Sequence, residues 1–135
     1  MSREHLETYL NDHLAGSMSQ LEILDQLTKE ATDLKAVLEH LRIDIGSDRQ
    51  ELITLMRHLD IKESRFRKAS GWIAEQVAEA KIIIDDEGDG TLRKLERLEL
   101  LVLGIEGKLR LWEALEAASR VEPRLRILDY PWLAQ

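Results

Sequence analysis

Apolar residues recur along this chain at spacings of three and four positions, which is the period of an amphipathic helix. The first stripe predicts a helix over residues 4–28, and the second predicts a helix that follows an N-cap at Thr32 or Asp33. Their members are Leu6, Leu10, His13, Ser17, Leu21, Leu24 and Leu27, then Leu34, Leu38, Leu41, Ile45, Asp48, Leu52, Leu55 and Leu59. Because the connection is short, we expect an antiparallel helix hairpin.

The second half of the chain carries two further helical patterns and a short tail. A third segment is predicted over residues 62–84, and the glycine-containing stretch 85–90 ends it. A fourth helix is predicted over residues 92–119, with an apolar stripe of Leu95, Leu98, Val102, Ile105, Leu109 and Trp112. Between Leu98 and Ile105 this helix is apolar nearly all round, so we expect burial on more than one side. The tail from Pro123 to Gln135 is predicted to be a last, short helical segment.

Composition fits a single all-α domain over residues 1–135. The chain is 44% hydrophobic and 33% charged, and no segment has the period of two that a strand requires. A net charge of −7 without a basic cluster argues against nucleic-acid binding. The longest apolar run, residues 100–105, is too short to span a membrane. Cysteine is absent, which excludes disulfides and thiolate zinc sites and fits the cytoplasmic location that we predict.

Polar residues interrupt the apolar stripes near the middle of three helices. The interruptions are His13 with Ser17, Asp44 with Asp48, and Glu99 with Glu106 on either side of Val102. A buried carboxylate costs several kcal/mol unless it is paired or bound to a cation. These residues therefore predict either a metal site or a polar layer in which Asp48 pairs with Arg or His.

The stretch 85–96 matches a calcium-binding EF-hand loop in spacing. Asp85, Glu87, Asp89 and Glu96 fall at the ligand positions 1, 3, 5 and 12, and Gly90 falls at the turn position 6. Glu87 is bulkier than the usual ligand at its position, and no second loop of this kind is present to pair with it. The alternative is an acidic connector that complements the dipole of the following helix.

Three segments resemble the ferritin-like superfamily, and more closely its small bacterial stress-associated members. These segments are residues 33–59, 71–81 and 94–116, which resemble the second core helix, the short crossover helix and the third core helix. The resemblance implies a bundle in which segment 62–84 crosses over and the tail after Pro123 begins the last core helix. Under that resemblance the last helix would be incomplete in this chain, which implies either a truncated bundle or one completed by a partner subunit.

Metal-binding members of that family carry a Glu on each of two helices and a Glu-x-x-His pair on each of the other two. Here Ser17 stands where the first helix would supply its Glu. Glu39 is followed three residues later by Arg42 instead of His, and Glu99 is followed by Val102. The remaining candidate metal ligands are His13, Asp44, Asp48, Glu99 and Glu106.

These patterns lead to two hypotheses of function. The first is a non-catalytic ferritin-like bundle with a degenerate metal site, a structural or protein-interaction role and a homodimeric state. The second is a metal-binding protein, with residual iron or manganese in the core or calcium in the loop at 85–96. No complete catalytic constellation is present in the sequence, so no reaction is predicted.

Overall fold

The computed structural model describes residues 2–64 and 90–135, and every regular element in those two ranges is helical. Helix α1 spans Arg3–Glu30, α2 spans Lys35–His58, α3 spans Thr91–Ser119, and α4 is a single turn at Tyr130–Leu133. Two 3-10 turns, Thr32–Leu34 and Pro123–Leu125, complete the described elements. The all-α prediction is confirmed for these residues. None of the helices in them has the length and apolarity that crossing a membrane requires.

The predicted third segment, residues 62–84, lies outside the described residues except for its first three positions. The same holds for the acidic stretch 85–90, of which only Gly90 is described. Gly90 has a φ of +84° and is the N-cap of α3. This left-handed conformation favours glycine, so Gly90 suits the point at which the chain turns into α3.

Helices α1 and α2 form the predicted antiparallel hairpin. Arg3 Nη2, at the start of α1, donates hydrogen bonds to the backbone oxygens of Leu59 (2.9 Å) and Asp60 (2.8 Å), just beyond the end of α2. The guanidinium thus complements the negative end of the α2 dipole. Asn11 holds the same junction, since its Nδ2 donates to the Lys62 oxygen (3.1 Å) and its Oδ1 accepts from the Ser64 backbone N–H (2.7 Å).

Helix α3 runs antiparallel to α1 and parallel to α2. An ion pair joins Arg97, near the start of α3, to Glu30 at the end of α1. The second half of α3 packs with the start of α1 and the end of α2. Helix α1 packs along both other long helices, whereas the backbones of α2 and α3 scarcely approach each other. A groove therefore remains between α2 and α3, although both helices pack on α1.

Two separate apolar clusters form the core of the described residues. The large cluster is buried between the start of α1, the end of α2, the end of α3 and the C-terminal segment, and contains Leu6, Leu10, Leu14, Leu52, Ile53, Leu55, Met56, Leu59, Ile61, Leu111, Trp112, Leu115, Leu125 and Tyr130. The small cluster lies at the other end of the three long helices and contains Ile23, Leu24, Leu27, Ala31, Leu38, Ile45 and Leu101.

The predicted inward face of α3 was wrong in part, because Trp112 is buried and Leu98 packs on the small cluster but other members of the stripe are exposed. Leu95 and Val102, placed inside by the sequence pattern, are 61% and 58% exposed. The buried face instead carries Leu101, Lys108, Leu111, Trp112 and Leu115. Because the first half of α3 is apolar nearly all round, its period of 3.6 residues does not select one face. Within the single chain, Val102 and Leu103 are exposed, so burial on more than one side stays a prediction that a partner would have to fulfil.

The predicted helix from Pro123 to Gln135 was also wrong, because this segment forms a 3-10 turn and then a single α-helical turn. Pro131 explains the break: it has no backbone N–H, and its ring would clash with the carbonyl of residue 127 in a continuous helix. Proline is tolerated in a first turn, and here Asp129 caps that turn by accepting a hydrogen bond from the Trp132 N–H (3.2 Å). The segment packs back on α3, where the rings of Tyr130 and Trp112 lie 6.4 Å apart between centroids.

Candidate functional site

A layer of polar side chains separates the two apolar clusters. It consists of Ser17 and Gln20 on α1, Asp48 on α2 and Lys108 on α3, and we call it the polar layer. Ser17, Gln20 and Lys108 are buried, whereas Asp48 is half-buried. The Ser17 hydroxyl donates to the Leu14 carbonyl (2.6 Å), so it is satisfied within its own helix.

Gln20 lies against α3 at Gly104. A Cβ atom added to Gly104 would stand 2.7 Å from Gln20 Cδ and 2.9 Å from Cγ, which is closer than real Cβ contacts. The missing side chain of Gly104 thus makes room for the Gln20 amide between α1 and α3. Its Nε2 is nevertheless buried without a hydrogen-bond partner.

Lys108 is the buried cation of the polar layer. It is only 8% exposed, and its Nζ has no hydrogen-bond partner in residues 2–64 or 90–135. Burial lowers the pKa of the Lys108 ammonium, and the nearby carboxylate of Asp48 counters part of that shift. Burial likewise raises the pKa of the Asp48 carboxyl, against the opposing effect of Lys108. The two groups act on each other electrostatically across the layer, but no ion pair joins them in the structure.

The groove between α2 and α3 opens beside this layer. Its volume is about 430 Å³. Asp44, Asp48 and Lys108 line it together with Gln20 from α1 and Trp112 from α3. Apolar residues complete the walls, namely Leu41, Ile45, Ile105 and Leu109, and the C-terminal residues Trp132 to Gln135 close one side. The groove therefore combines both signs of charge with apolar walls.

The five residues predicted as core metal ligands do not meet at one point. Glu99 and Glu106 are exposed on the outer face of α3, so their predicted position on or beside the inward face was wrong. Asp44 is exposed and lies beside His40, with Asp44 Oδ2 and His40 Nε2 3.6 Å apart. Across residues 2–64 and 90–135, no group of three or more His, Asp or Glu residues could hold a metal.

His13 and Asp48 remain near the middle of the bundle, as the sequence pattern predicted. Burial lowers the pKa of His13, with Asp12 acting in the opposite direction. The His13 ring meets Tyr9 edge to face, with centroids 4.8 Å apart. Asp48 faces Lys108 and not the Arg or His that the polar-layer hypothesis expected.

The predicted calcium ligands Asp85, Glu87 and Asp89 lie outside the described residues. Glu96, the fourth of them, is half-buried on α3. Calcium binding by the loop at 85–96 stays a prediction, as does the cofactor set of iron, manganese or calcium.

The sequence pattern did not single out Lys108, Gln20 and Trp112 as candidate site residues. Each is a donor with a buried nitrogen that has no hydrogen-bond partner, at Nζ, Nε2 and Nε1 respectively. A usable signal was present in α3, because Lys108 lies midway between Gly104 and Trp112 at helical spacing. A lysine at that position interrupts a face that is otherwise small or apolar.

The described residues form an all-helical protein of about four helices whose long helices pack on one another. Comparisons with protein-family models, curated proteins and solved structures find no match to this chain. Function must therefore be inferred from the chain's own surfaces and from the groove.

Proposed function

We propose that this protein is a non-catalytic helical bundle of ferritin-like topology that acts through protein interaction, and that it forms a homodimer through α3. The helix order supports the topology: an antiparallel hairpin is followed by a long helix that runs parallel to α2 and packs on α1. The observation that carries the proposal is an apolar stripe on α3 that faces away from the core.

We call this surface the α3 outer stripe, and it consists of Leu92, Leu95, Glu99, Val102, Leu103 and Glu106. All six side chains are exposed, including four large apolar ones. Apart from Leu103, which adjoins Val102, their spacing alternates between three and four residues, as along the seam of a coiled coil. Single exposed apolar residues are ordinary, but a contiguous row on one helix face is typical of an interaction site.

Charge on the same face favours a second copy of this chain as the partner. Arg110 lies one turn beyond Glu106 and is exposed. An antiparallel pair of α3 helices centred between Gly104 and Ile105 sets Glu99 of each copy level with Arg110 of the other, because both lie equally far from that centre. Opposite charges that meet across a helix pair favour one partner and one orientation over others.

The same register is compatible with close packing at the ends of the stripe. Leu95 falls opposite Ala114, and Leu92 falls opposite Ala117. Both alanines are exposed in the single chain. Large side chains against small ones allow two helix backbones to approach, which supports the antiparallel arrangement.

Sedimentation velocity tests the dimer. We expect the wild-type chain to sediment as a dimer and Val102→Glu to sediment as a folded monomer, since the change removes an apolar side chain from the stripe and adds a third carboxylate beside Glu99 and Glu106. Ile43→Glu is the matched control, because Ile43 is 69% exposed on α2 and lies outside the stripe. A wild-type monomer at the highest soluble concentration would defeat the proposal, and so would equal loss of dimer in both variants.

A charge reversal tests the orientation. Glu99→Arg should weaken the dimer by placing like charges level with each other. Adding Arg110→Glu to that variant should restore it. Failure of the second change to restore association would leave the stripe as the interface but exclude the antiparallel register.

A further inference from the structure

We propose that the groove between α2 and α3 is a binding site for a small zwitterion, namely an α-amino acid with an apolar side chain. Lys108 and Gln20 would receive its carboxylate, Asp48 would receive its ammonium, and the apolar walls would enclose its side chain. This site is independent of the α3 outer stripe.

The donors supply the first line of reasoning. Lys108, Gln20 and Trp112 all line the groove, and their exposed fractions are 8%, 5% and 1%. Each has a nitrogen that is buried and has no hydrogen-bond acceptor among the described residues. Buried polar groups in folded proteins nearly always have partners, so three such donors on residues that line one groove favour a ligand that brings an acceptor. A carboxylate, with two oxygens that accept about four hydrogen bonds, matches that need.

The opposite wall limits which carboxylate fits. Asp44 and Asp48 of α2 line the groove across from Lys108. An anion would meet these two carboxylates as well as the ammonium, and a phosphate would meet them with still more charge. A zwitterion adds no net charge and offers its own ammonium to Asp48. The pairing of one buried cation with nearby carboxylates therefore favours an amino acid over a simple anion.

The remaining walls indicate an apolar side chain on the ligand. Ile45, Ile105 and Leu109 line the groove, and Trp132 stands at its C-terminal side. A volume of about 430 Å³ falls within the range of small-molecule sites in proteins. Such sites combine mostly apolar walls with a few polar groups that fix orientation, which is the composition found here.

Three probes separate the chemical possibilities by calorimetry on the full-length chain. They are L-leucine, 4-methylpentanoate, which lacks the amino group, and 3-methylbutylamine, which lacks the carboxylate. We expect L-leucine to bind and each single-charge analogue to bind at least about tenfold more weakly, since each loses one charge-assisted hydrogen bond. Equal binding of 4-methylpentanoate would overturn the zwitterion, and absence of L-leucine binding would overturn the proposal.

Two isosteric variants test the assigned residues. Lys108→Met and Asp48→Asn should each weaken L-leucine binding about ten- to a hundredfold. Lys35→Met is the control, because Lys35 is an exposed lysine of α2 outside the groove. Unchanged affinity in either groove variant would overturn the assignment of that residue.

A measurement on the wild-type chain keeps the test independent of how the variants fold. In two-dimensional NMR spectra, L-leucine should shift the Gln20 side-chain amide and the Trp112 indole N–H. Shifts confined to residues outside the groove would contradict the proposed site even if binding is observed.

Discussion

The two ends of the bundle are built differently. The large cluster is enclosed by four parts of the chain, because the C-terminal segment folds over α3 and buries Leu125 and Tyr130. Among the described residues, the small cluster is enclosed by the three long helices and the turn between α1 and α2. Ion pairs lie near both ends: Arg97–Glu30 and Arg42–Asp25 beside the small cluster, and Arg110–Glu113 and Arg124–Glu122 beside the large one. The two ends therefore differ in apolar burial, since the large cluster has 14 buried residues and the small one has 7.

This difference indicates where the fold is most resistant to opening. Burial of apolar surface stabilises by about 25 cal/mol per Å², whereas a surface ion pair contributes about 0–1 kcal/mol. Local opening favours regions with few buried contacts. We expect the end around the turn from α1 to α2 to open before the end closed by the C-terminal segment.

The largest expected effect compares two leucines on the same helix. Leu55→Ala in the large cluster should lower the free energy of unfolding by about 3–5 kcal/mol, because a fully buried side chain leaves a cavity that four elements enclose. Leu38→Ala in the small cluster should cost about 2–3 kcal/mol, because fewer neighbours surround the cavity and they can relax. Urea unfolding of both variants measures the two losses in free energy of unfolding. A larger loss for Leu38→Ala would contradict the predicted difference between the two ends.

The boundary between the two ends is tested at Gly104. Gly104→Ala should destabilise by about 1–3 kcal/mol, since the new Cβ meets the buried Gln20 side chain. In a Gln20→Ala background the same change should stabilise by about 0.5–1 kcal/mol, because the clash is gone and alanine favours helix. Thermal unfolding of the four proteins measures the cycle. If Gly104→Ala changes the stability in the same direction in both backgrounds, contact with Gln20 is not the reason for glycine at this position.

Substitution of Lys108 should have a smaller effect on the free energy of unfolding, and it should raise it. Lys108→Met should raise the free energy of unfolding by about 1–2 kcal/mol, since it removes a buried ammonium that has no hydrogen-bond partner. The methionine side chain would also connect the two apolar clusters. Urea unfolding at neutral pH is the measurement, with Lys35→Met as the neutral control. A marked loss of stability would show that Lys108 is well paired in solution.

The smallest effect concerns alkaline pH and the large cluster. Burial raises the pKa of Tyr130 from 10.0 to about 12. The folded chain therefore holds this proton where the unfolded chain has released it, so stability falls as pH rises from about 10 towards 12. We expect a loss of about 1 kcal/mol from this group between about pH 10 and 11. Tyr130→Phe should flatten that part of the pH profile, leaving a residual slope from Tyr9, whose pKa burial also raises; an unchanged profile would contradict the assignment.

Sequence periodicity predicted the hairpin well because its physical signals were strong. The second helix alternates strictly between three- and four-residue spacings, and the short connection at residues 29–32 leaves the chain no room for another arrangement. In α3 the same method failed, because apolar residues surround the helix between Leu98 and Ile105. Which side faces the core there depends on the partners, and above all on Gly104 meeting Gln20.

The candidate site was predicted only in part for a related reason. His13, Ser17 and Asp48 were recognised because polar residues stand out in an apolar stripe. Lys108 and Gln20 were missed because long polar side chains on helices are usually solvated, and single-sequence patterns do not reveal that a neighbouring helix covers them. The short C-terminal turn was missed because Pro123 at a helix start received more weight than Pro131 farther on.

The hydrogen bonds of Arg3 have a consequence for synthesis on the ribosome. Arg3 emerges from the ribosome before the carbonyl of Leu59 that it binds, which lies 56 positions later. Glu30 likewise emerges before Arg97, its ion-pair partner. The nascent chain therefore displays α1, the helix that later packs on the other two, before either of them exists to cover it. Until then its apolar face is open to chaperones at the exit tunnel.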